Sequence, residues 1–197
     1  MREIIDFILE VDKLKGVTRA TRPLGDAGRD RFENSAEHSW QITLFARALA
    51  PHAGPGLDID RVVKMLLVHD IGEIDTGDTI VYAQTNHAEK SAAERAAVER
   101  IFGLLPEPQR AEFLALWQEF EDAVTPESRF AHAADRAMPA LLNLANHGQS
   151  WRDHGITYER VVARIGPPIE AGCPELWEYM KDRLDEAKAQ GWFGIGS

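Results

Sequence analysis

An all-α fold is predicted by three features of the chain. Apolar residues recur at three- and four-residue spacing in most segments. Helix-forming residues dominate between short stretches of Gly and Pro. Side chains suited to capping a helix precede several of the apolar runs. With 197 residues, 44% of them hydrophobic, the chain can bury the core of one large domain. No internal repeat, low-complexity tract or long linker divides it, so residues 1–197 read as a single domain.

The first helix is expected from about Arg2 to Leu14, with Ile4, Ile5, Ile8, Leu9 and Val11 forming its apolar side. Lys15 to Arg31 holds Arg19, Arg22, Arg29 and Arg31 together with Pro23, Gly25 and Gly28, a composition that reads as a basic loop. A helix then starts near Asn34 or Ser35. Asn34 and Glu37 have the capping-box spacing, and Ile42, Phe45, Ala46 and Leu49 follow at helical intervals. His38, four residues before Ile42, points inward. Pro51 to Gly56 ends that helix. Asp58 or Asp60 caps the next, which runs out at His69–Asp70 just before Gly72.

Gly72 to about Thr85 reads as a loop carrying Glu73, Asp75 and Asp78. Helices are expected from about Ala88 to Phe102, Glu107 to Glu121 and Glu127 to Asn146. Asp135 shares a face with Ala131, Met138 and Leu142 and so points inward. A turn at Trp151–Gly155, a short helix near Tyr158–Arg164 and a last helix from about Pro174 to Gln190 complete the chain.

Lys and Arg number 22 against 32 Asp and Glu, a formal charge of −10. Such a surface repels nucleic-acid backbones, which argues against a DNA or RNA duplex as partner. It leaves room for a small anion, because a bound cation reverses the sign locally. The single cysteine, Cys173, allows no internal disulfide and fits a reducing compartment. The acidic N-terminus is unlike a secretory signal, and no apolar run approaches the roughly 20 residues of a membrane span. A cytoplasmic protein without a membrane partner is the expectation.

His38, His69, Asp70 and Asp135 carry the functional reading. Burying four such groups separately costs their hydration, whereas gathering them round one divalent cation compensates all four at once. Two imidazoles and two carboxylates suit Mn²⁺, Co²⁺, Fe²⁺, Ni²⁺, Zn²⁺ or Mg²⁺, and without a thiolate they give no special preference for zinc. Adjacent helical residues point about 100° apart. His69 and Asp70 therefore share an ion only if the helix loosens there, which Gly72 permits. Ligands drawn from several helices are what a bundle core provides. Four of them leave an octahedral ion two positions, for a water and a phosphate oxygen. The bland reading of each residue is a hydrogen-bonded core histidine, or an aspartate paired with Arg136 or another arginine.

The segments Glu33-Asn34-Ser35-Ala36-Glu37-His38, His69-Asp70-Ile71-Gly72-Glu73 with Gly77-Asp78, and Ala134-Asp135-Arg136 resemble the HD-domain superfamily of metal-dependent phosphohydrolases. The likeness spans roughly residues 5 to 145, with a motif core at about 33–145. It is greatest to the small bacterial 5′-deoxynucleotidases and their eukaryotic relatives. The resemblance implies an all-α helical bundle, one divalent metal held by His38, His69, Asp70 and Asp135, removal of phosphate from (deoxy)nucleoside 5′-monophosphates, and a homodimer. It implies that Glu73 and Asp78 are the catalytic carboxylates outside the ligand set. A carboxylate beside an attacking water takes its proton, and one near the leaving oxygen returns it. Their bland reading is a solvated acidic loop, or a helix cap for Asp78.

Arg19 matches the arginine that meets the nucleotide in that family, and a guanidinium fork suits phosphate. Ala20 follows it, where the bacterial deoxynucleotidases tend to have an aromatic residue linked to sugar discrimination. Two other HD branches fit less well. Ile74 follows Glu73, whereas alarmone hydrolases resemble H-D-x-x-E-D, and the G-Y-P segment of the cyclic-dinucleotide branch is absent. A non-catalytic metal- or nucleotide-binding module is the alternative of another class. Arg31 either pairs with Glu37 or orients a ligand. His132 is a candidate to line the same pocket, or to bind a second metal, while His52, His87, His147 and His154 read as ordinary loop residues. Trp192-Phe193 either docks on a neighbouring subunit or frays.

Overall fold

A computed structural model describes residues 1–25, 31–79 and 87–195 of the chain. Among these residues there is no strand, and the elements are helices in the order α1 (Arg2–Val11), a 3₁₀ segment (Asp12–Gly16), α2 (Ser35–Leu49), a 3₁₀ turn (Ala50–His52), α3 (Ile59–Val68), α4 (Glu73–Thr76), α5 (His87–Phe102), α6 (Gln109–Asp122), α7 (Pro126–Ala145), α8 (Gln149–Asp153), α9 (Tyr158–Gly172) and α10 (Pro174–Ala189). The all-α prediction holds. Arg29, Gly28 and the end of the expected Gly72–Thr85 loop lie outside the described residues, as does the side chain of His87, whose backbone opens α5.

The predicted caps form. Asn34 Oδ1 accepts from Glu37 N at 3.0 Å and Glu37 Oε2 accepts from Asn34 N at 3.2 Å, closing the capping box of α2. Asp58, not Asp60, caps α3, accepting from Asp60 N and Arg61 N. Thr125 and Ser128 form a second capping box at α7.

Helix α7 is the axis of the molecule. Phe130, Ala131, Ala133, Ala134, Ala137, Met138, Ala140 and Leu142 are all buried, so core surrounds it. Its small alanines let α2, α3, α6 and α9 approach, and these helices pack on it. Pro139 sits inside α7 without an N–H, so the carbonyl of Asp135 receives no helical hydrogen bond from that position.

The structure differs from the sequence reading in four places. Helix α1 ends at Val11 and turns Phe7 inward, against Phe102 and Phe113, which leaves Ile5, Ile8 and Leu9 exposed. Glu73–Thr76 forms a helical turn where a loop was expected. The turn expected at Trp151–Gly155 is mostly the short helix α8. Helix α9 continues past Arg164 through Pro167 and Pro168 to Gly172. Gly166 and Gly172 explain that last extension. A Cβ on Gly166 would stand 2.8 Å from the Trp177 ring, and one on Gly172 2.1 Å from the Arg129 carbonyl. Close packing on α7 and α10 holds the helix across its prolines. The tail folds back on its own chain, with Phe193 stacked on Trp151 at 4.6 Å and Trp192 against His147. No helix among the described residues is long and apolar enough to cross a membrane.

Candidate active site

Helices α2, α3 and α7 pack on one another and bring His38, the end of α3 and Asp135 together. One ligand-type atom from each of His38, His69 and Asp135 lies within 4.8 Å of the others, and all three residues are buried. His38 Nε2 is 3.0 Å from Asp135 Oδ1, and His69 Nε2 is 3.9 Å from the same oxygen. Asp70 stands beside this set, its Oδ1 3.0 Å from His69 Nε2. The backbone after Val68 explains how neighbouring residues converge. Ile71 N bonds Val68 O, Glu73 N bonds Asp70 O and Ile74 N bonds Ile71 O, the tighter three-residue pattern. Gly72 permits this turn to lie against α5, where a Cβ would come within 3.2 Å of Glu94 O.

His69 tests whether a cation fits. Its Nδ1 meets the Leu66 carbonyl at 2.9 Å, so a neutral ring spends its one N–H there. Nε2 is then a bare lone pair, buried, without a hydrogen bond, and facing the oxygens of Asp70 and Asp135. That juxtaposition is repulsive unless positive charge stands between them. Burial works to lower the His69 pKa, but Asp70 foremost, with Asp135 and Glu73, raises it to about 9. A proton fills the gap when no metal does. Burial and the Arg19 charge hold His38 down at about 4, a neutral imidazole ready to ligate. Burial of Asp70 is outweighed by His69, which takes its carboxyl down to about 2. Burial of Asp135 is likewise outweighed, by Arg136 and the bond to His38, so its carboxyl lies well below the ordinary range. The donor set of neutral nitrogen and ionised oxygen fits a divalent first-row ion or Mg²⁺.

Glu73 and Asp78 flank this set. Ser35 Oγ donates to Glu73 Oε2 at 2.6 Å, and Gly77, with φ of 73°, turns the chain so that Asp78 meets Glu73. Burial, with the charges of Asp70 and Asp78, pushes Glu73 up to about 8. Burial also raises Asp78, against the pull of Arg19. Both carboxyls thus hold a proton more readily than a free acid does, the condition for acid–base work.

Arg19 lies on an extended stretch bridged to the approach of α2, its N–H donating to Glu33 O at 2.9 Å. Its guanidinium Nη1 is 3.2 Å from Asp70 Oδ2 and 3.4 Å from Asp78 Oδ1. Arg19, His69, Asp70, Glu73, Asp78 and Asp135 all line one cleft of about 350 Å³. That volume is in the range of small-molecule sites, roughly 300–1,000 Å³. Its remaining wall includes Ala20, Trp151, Ile156, Arg164 and Ile165.

Other residues resolve plainly. Arg31 grips Glu37 with both terminal nitrogens, at 2.7 and 2.9 Å, and is exposed. His132 stacks on Phe120 and bonds its carbonyl at 2.8 Å, outside the ligand cluster. His52 pairs with Glu175 and His154 with the Ser150 carbonyl. The sequence assigned no site role to Ser35, Lys90, Trp151 or Arg164 and gave Arg136 only as a pairing partner for Asp135, although Ser35 holds Glu73 and the others line the cleft. Only Arg136, beside Asp135, had a usable signal; the rest come from elements whose packing no local pattern announces.

The HD-domain family model matches residues 11–177. Human 5′-deoxynucleotidase HDDC2 is 30% identical over 135 residues, 68% of this chain and 64% of that protein. The 5′-deoxynucleotidase YfbR of Salmonella paratyphi B is 30% identical over 111 residues, 50% of this chain and 56% of that protein. The chain thus spans less than two thirds of the length of either relative. A crystal structure of a "predicted metal-dependent phosphohydrolase" from Magnetospirillum magnetotacticum MS-1 superposes with a TM-score of 0.89 at 44% identity, covering 98% of this chain and 97% of that one. With its helices, its histidine–aspartate cluster and a matched span of most of its length, the chain belongs to the HD-domain family.

Proposed function

We propose that this protein is a metal-dependent phosphohydrolase that removes the 5′-phosphate from (deoxy)nucleoside monophosphates. The observation that carries the reading is His69, whose buried Nε2 faces two carboxylates with its other nitrogen already committed to Leu66. His38, His69, Asp70 and Asp135 would hold the ion, which supplies an acidified water and neutralises charge on the phosphoryl oxygens. An anion needs such help in a cleft walled by Asp70, Glu73, Asp78 and Asp135. Arg19 binds a non-bridging oxygen and orients the phosphate for in-line attack. Glu73 and Asp78 take the proton from the attacking water and return one to the leaving oxygen. The apolar wall of Trp151, Ile156 and Ile165 receives the nucleoside.

The relatives named as 5′-deoxynucleotidases support the substrate class. The reading further places the protein in a reducing cytoplasm, where the lone buried Cys173 makes no disulfide. It also makes it a homodimer, for which the exposed apolar residues Ile8 and Leu9 on α1 and Trp40 on α2 are available. Phosphate release from deoxy- and ribonucleotide 5′-monophosphates, assayed with Mn²⁺ or Co²⁺, tests the function. Wild type is expected to turn over, and Asp70→Ala to lose activity. Equal rates in the two proteins, or nucleotide binding without turnover, would reject it.

A further inference from the structure

Behind the ligand cluster three buried polar atoms converge without a hydrogen bond: Arg19 Nε, Glu33 Oε2 and His38 Nδ1. Glu33 is common to all the approaches. Its Oε2 is 3.5 Å from Arg19 Nε and 3.9 Å from His38 Nδ1. Its backbone is pinned on both sides, Glu33 N donating to Thr21 O at 2.8 Å and Glu33 O accepting from Arg19 N at 2.9 Å. The side chain is 3% exposed, so water does not replace the missing bonds. A carboxylate left so is costly, and a rotamer adjustment of less than about 1 Å would bring both distances to hydrogen-bond length. The opposite edge of the His38 ring meets Asp135, 3.0 Å from Nε2. Glu33 therefore stands on the far side of the imidazole from the ligand atoms.

We propose that Glu33 is a positioning residue that accepts from His38 Nδ1–H and Arg19 Nε–H together. The first bond commits His38 to the tautomer whose Nε2 lone pair faces the ion. A carboxylate behind a ligating histidine both orients it and raises its basicity. The second bond aims the Arg19 fork into the cleft. One side chain then couples the metal ligand to the anion-binding arginine. The inference rests on the metal-dependent reading above and adds a role for a residue outside the ligand and catalytic sets.

The test uses the full chain, stripped of metal and titrated with Mn²⁺ by calorimetry. Glu33→Ala is expected to bind Mn²⁺ about 10- to 100-fold more weakly. The Mn²⁺-loaded variant is also expected to bind inorganic phosphate more weakly than loaded wild type. Glu33→Gln keeps the shape and an acceptor oxygen, so it should recover most of the Mn²⁺ affinity. Its decisive readout is the His38 Nδ1–H resonance of the Zn²⁺-loaded, ¹⁵N-histidine-labelled protein, which should move when a neutral amide replaces the carboxylate. An unmoved resonance in folded Glu33→Gln overturns the proposal, whether or not Glu33→Ala folds. So does a folded Glu33→Ala that binds Mn²⁺ within twofold of wild type. His38→Ala separates this from the parent reading. If it loses Mn²⁺ while Glu33→Ala does not, Glu33 alone is wrong; if it binds as wild type does, the ligand set falls and the proposal with it.

Discussion

His69 and Glu73 stand four positions apart and carry opposite demands. His69 needs a cation at Nε2, whereas Glu73, between Asp70 and Asp78, resists carrying its own negative charge. A raised carboxyl beside an ionised one is how a site keeps both a proton donor and an acceptor at neutral pH. Glu73→Gln should therefore lower kcat by roughly 10²- to 10⁴-fold. Because Glu73 lies outside the ligand cluster, Mn²⁺ affinity in that variant should stay within a few-fold of wild type. Steady-state kinetics with a parallel Mn²⁺ titration checks both halves, and a variant of near-normal kcat would remove Glu73 from the chemistry. His38 and Asp135 were readable as inward-facing from helical phase alone. Glu33 was not, because an acid just ahead of a capped helix reads as solvated until Arg19 is folded across it.

The junction of α3 with α4 is the element on which the site depends. A continuous helix would splay His69 from Asp70, and three-residue hydrogen bonds from Val68 to Ile74 draw them together. Gly72 signalled that loosening in the sequence. No such signal announced the length of α9, expected to stop near Arg164 and carried by tertiary contact through Pro167 and Pro168 to Gly172. Gly172 allows a sharp test. Helix propensity alone expects Ala there to stabilise by about 1 kcal/mol. The structure expects the reverse, since the new Cβ meets the Arg129 carbonyl at 2.1 Å and the Ala133 methyl at 2.8 Å. Gly172→Ala should destabilise by about 1–3 kcal/mol. Urea unfolding decides, and a midpoint at or above wild type would contradict the close packing of α9 on α7.

Across the whole molecule, the proposed ligands join α2 and the end of α3 to α7, so charge at one point feeds into global stability. His69 normally titrates near 6.5 and stands at about 9 in the fold, so its proton stabilises fully below pH 6.5 and that stabilisation is lost towards pH 9. Glu73, raised from 4.5 to about 8, loses stability in the same direction between those values. His38, lowered from 6.5 to about 4, acts oppositely but only between pH 4 and 6.5. The metal-free protein should accordingly melt at lower temperature as pH rises from 6.5 to 9. Mn²⁺ substitutes for the lost proton, so an excess of ion should flatten the slope and raise the melting point throughout, as binding to the folded state alone requires. Melting temperatures that rise over that range in chelator would contradict the charge arrangement described here.

The amino-acid sequence by itself determined the helical class, the cap at Asn34, and the inward phase of His38 and Asp135. Each follows from the spacing of side chains along one helix, a property local to a dozen residues. Tertiary structure alone decided that α2, α3 and α7 meet, that Arg19 lies across Glu33, and that α8 and α9 contribute to the wall of the cleft. Those facts depend on which apolar faces pack together over many tens of residues, and no short-range pattern encodes that pairing. The same cause explains α1, where periodicity marked a face for burial and packing chose Phe7 instead.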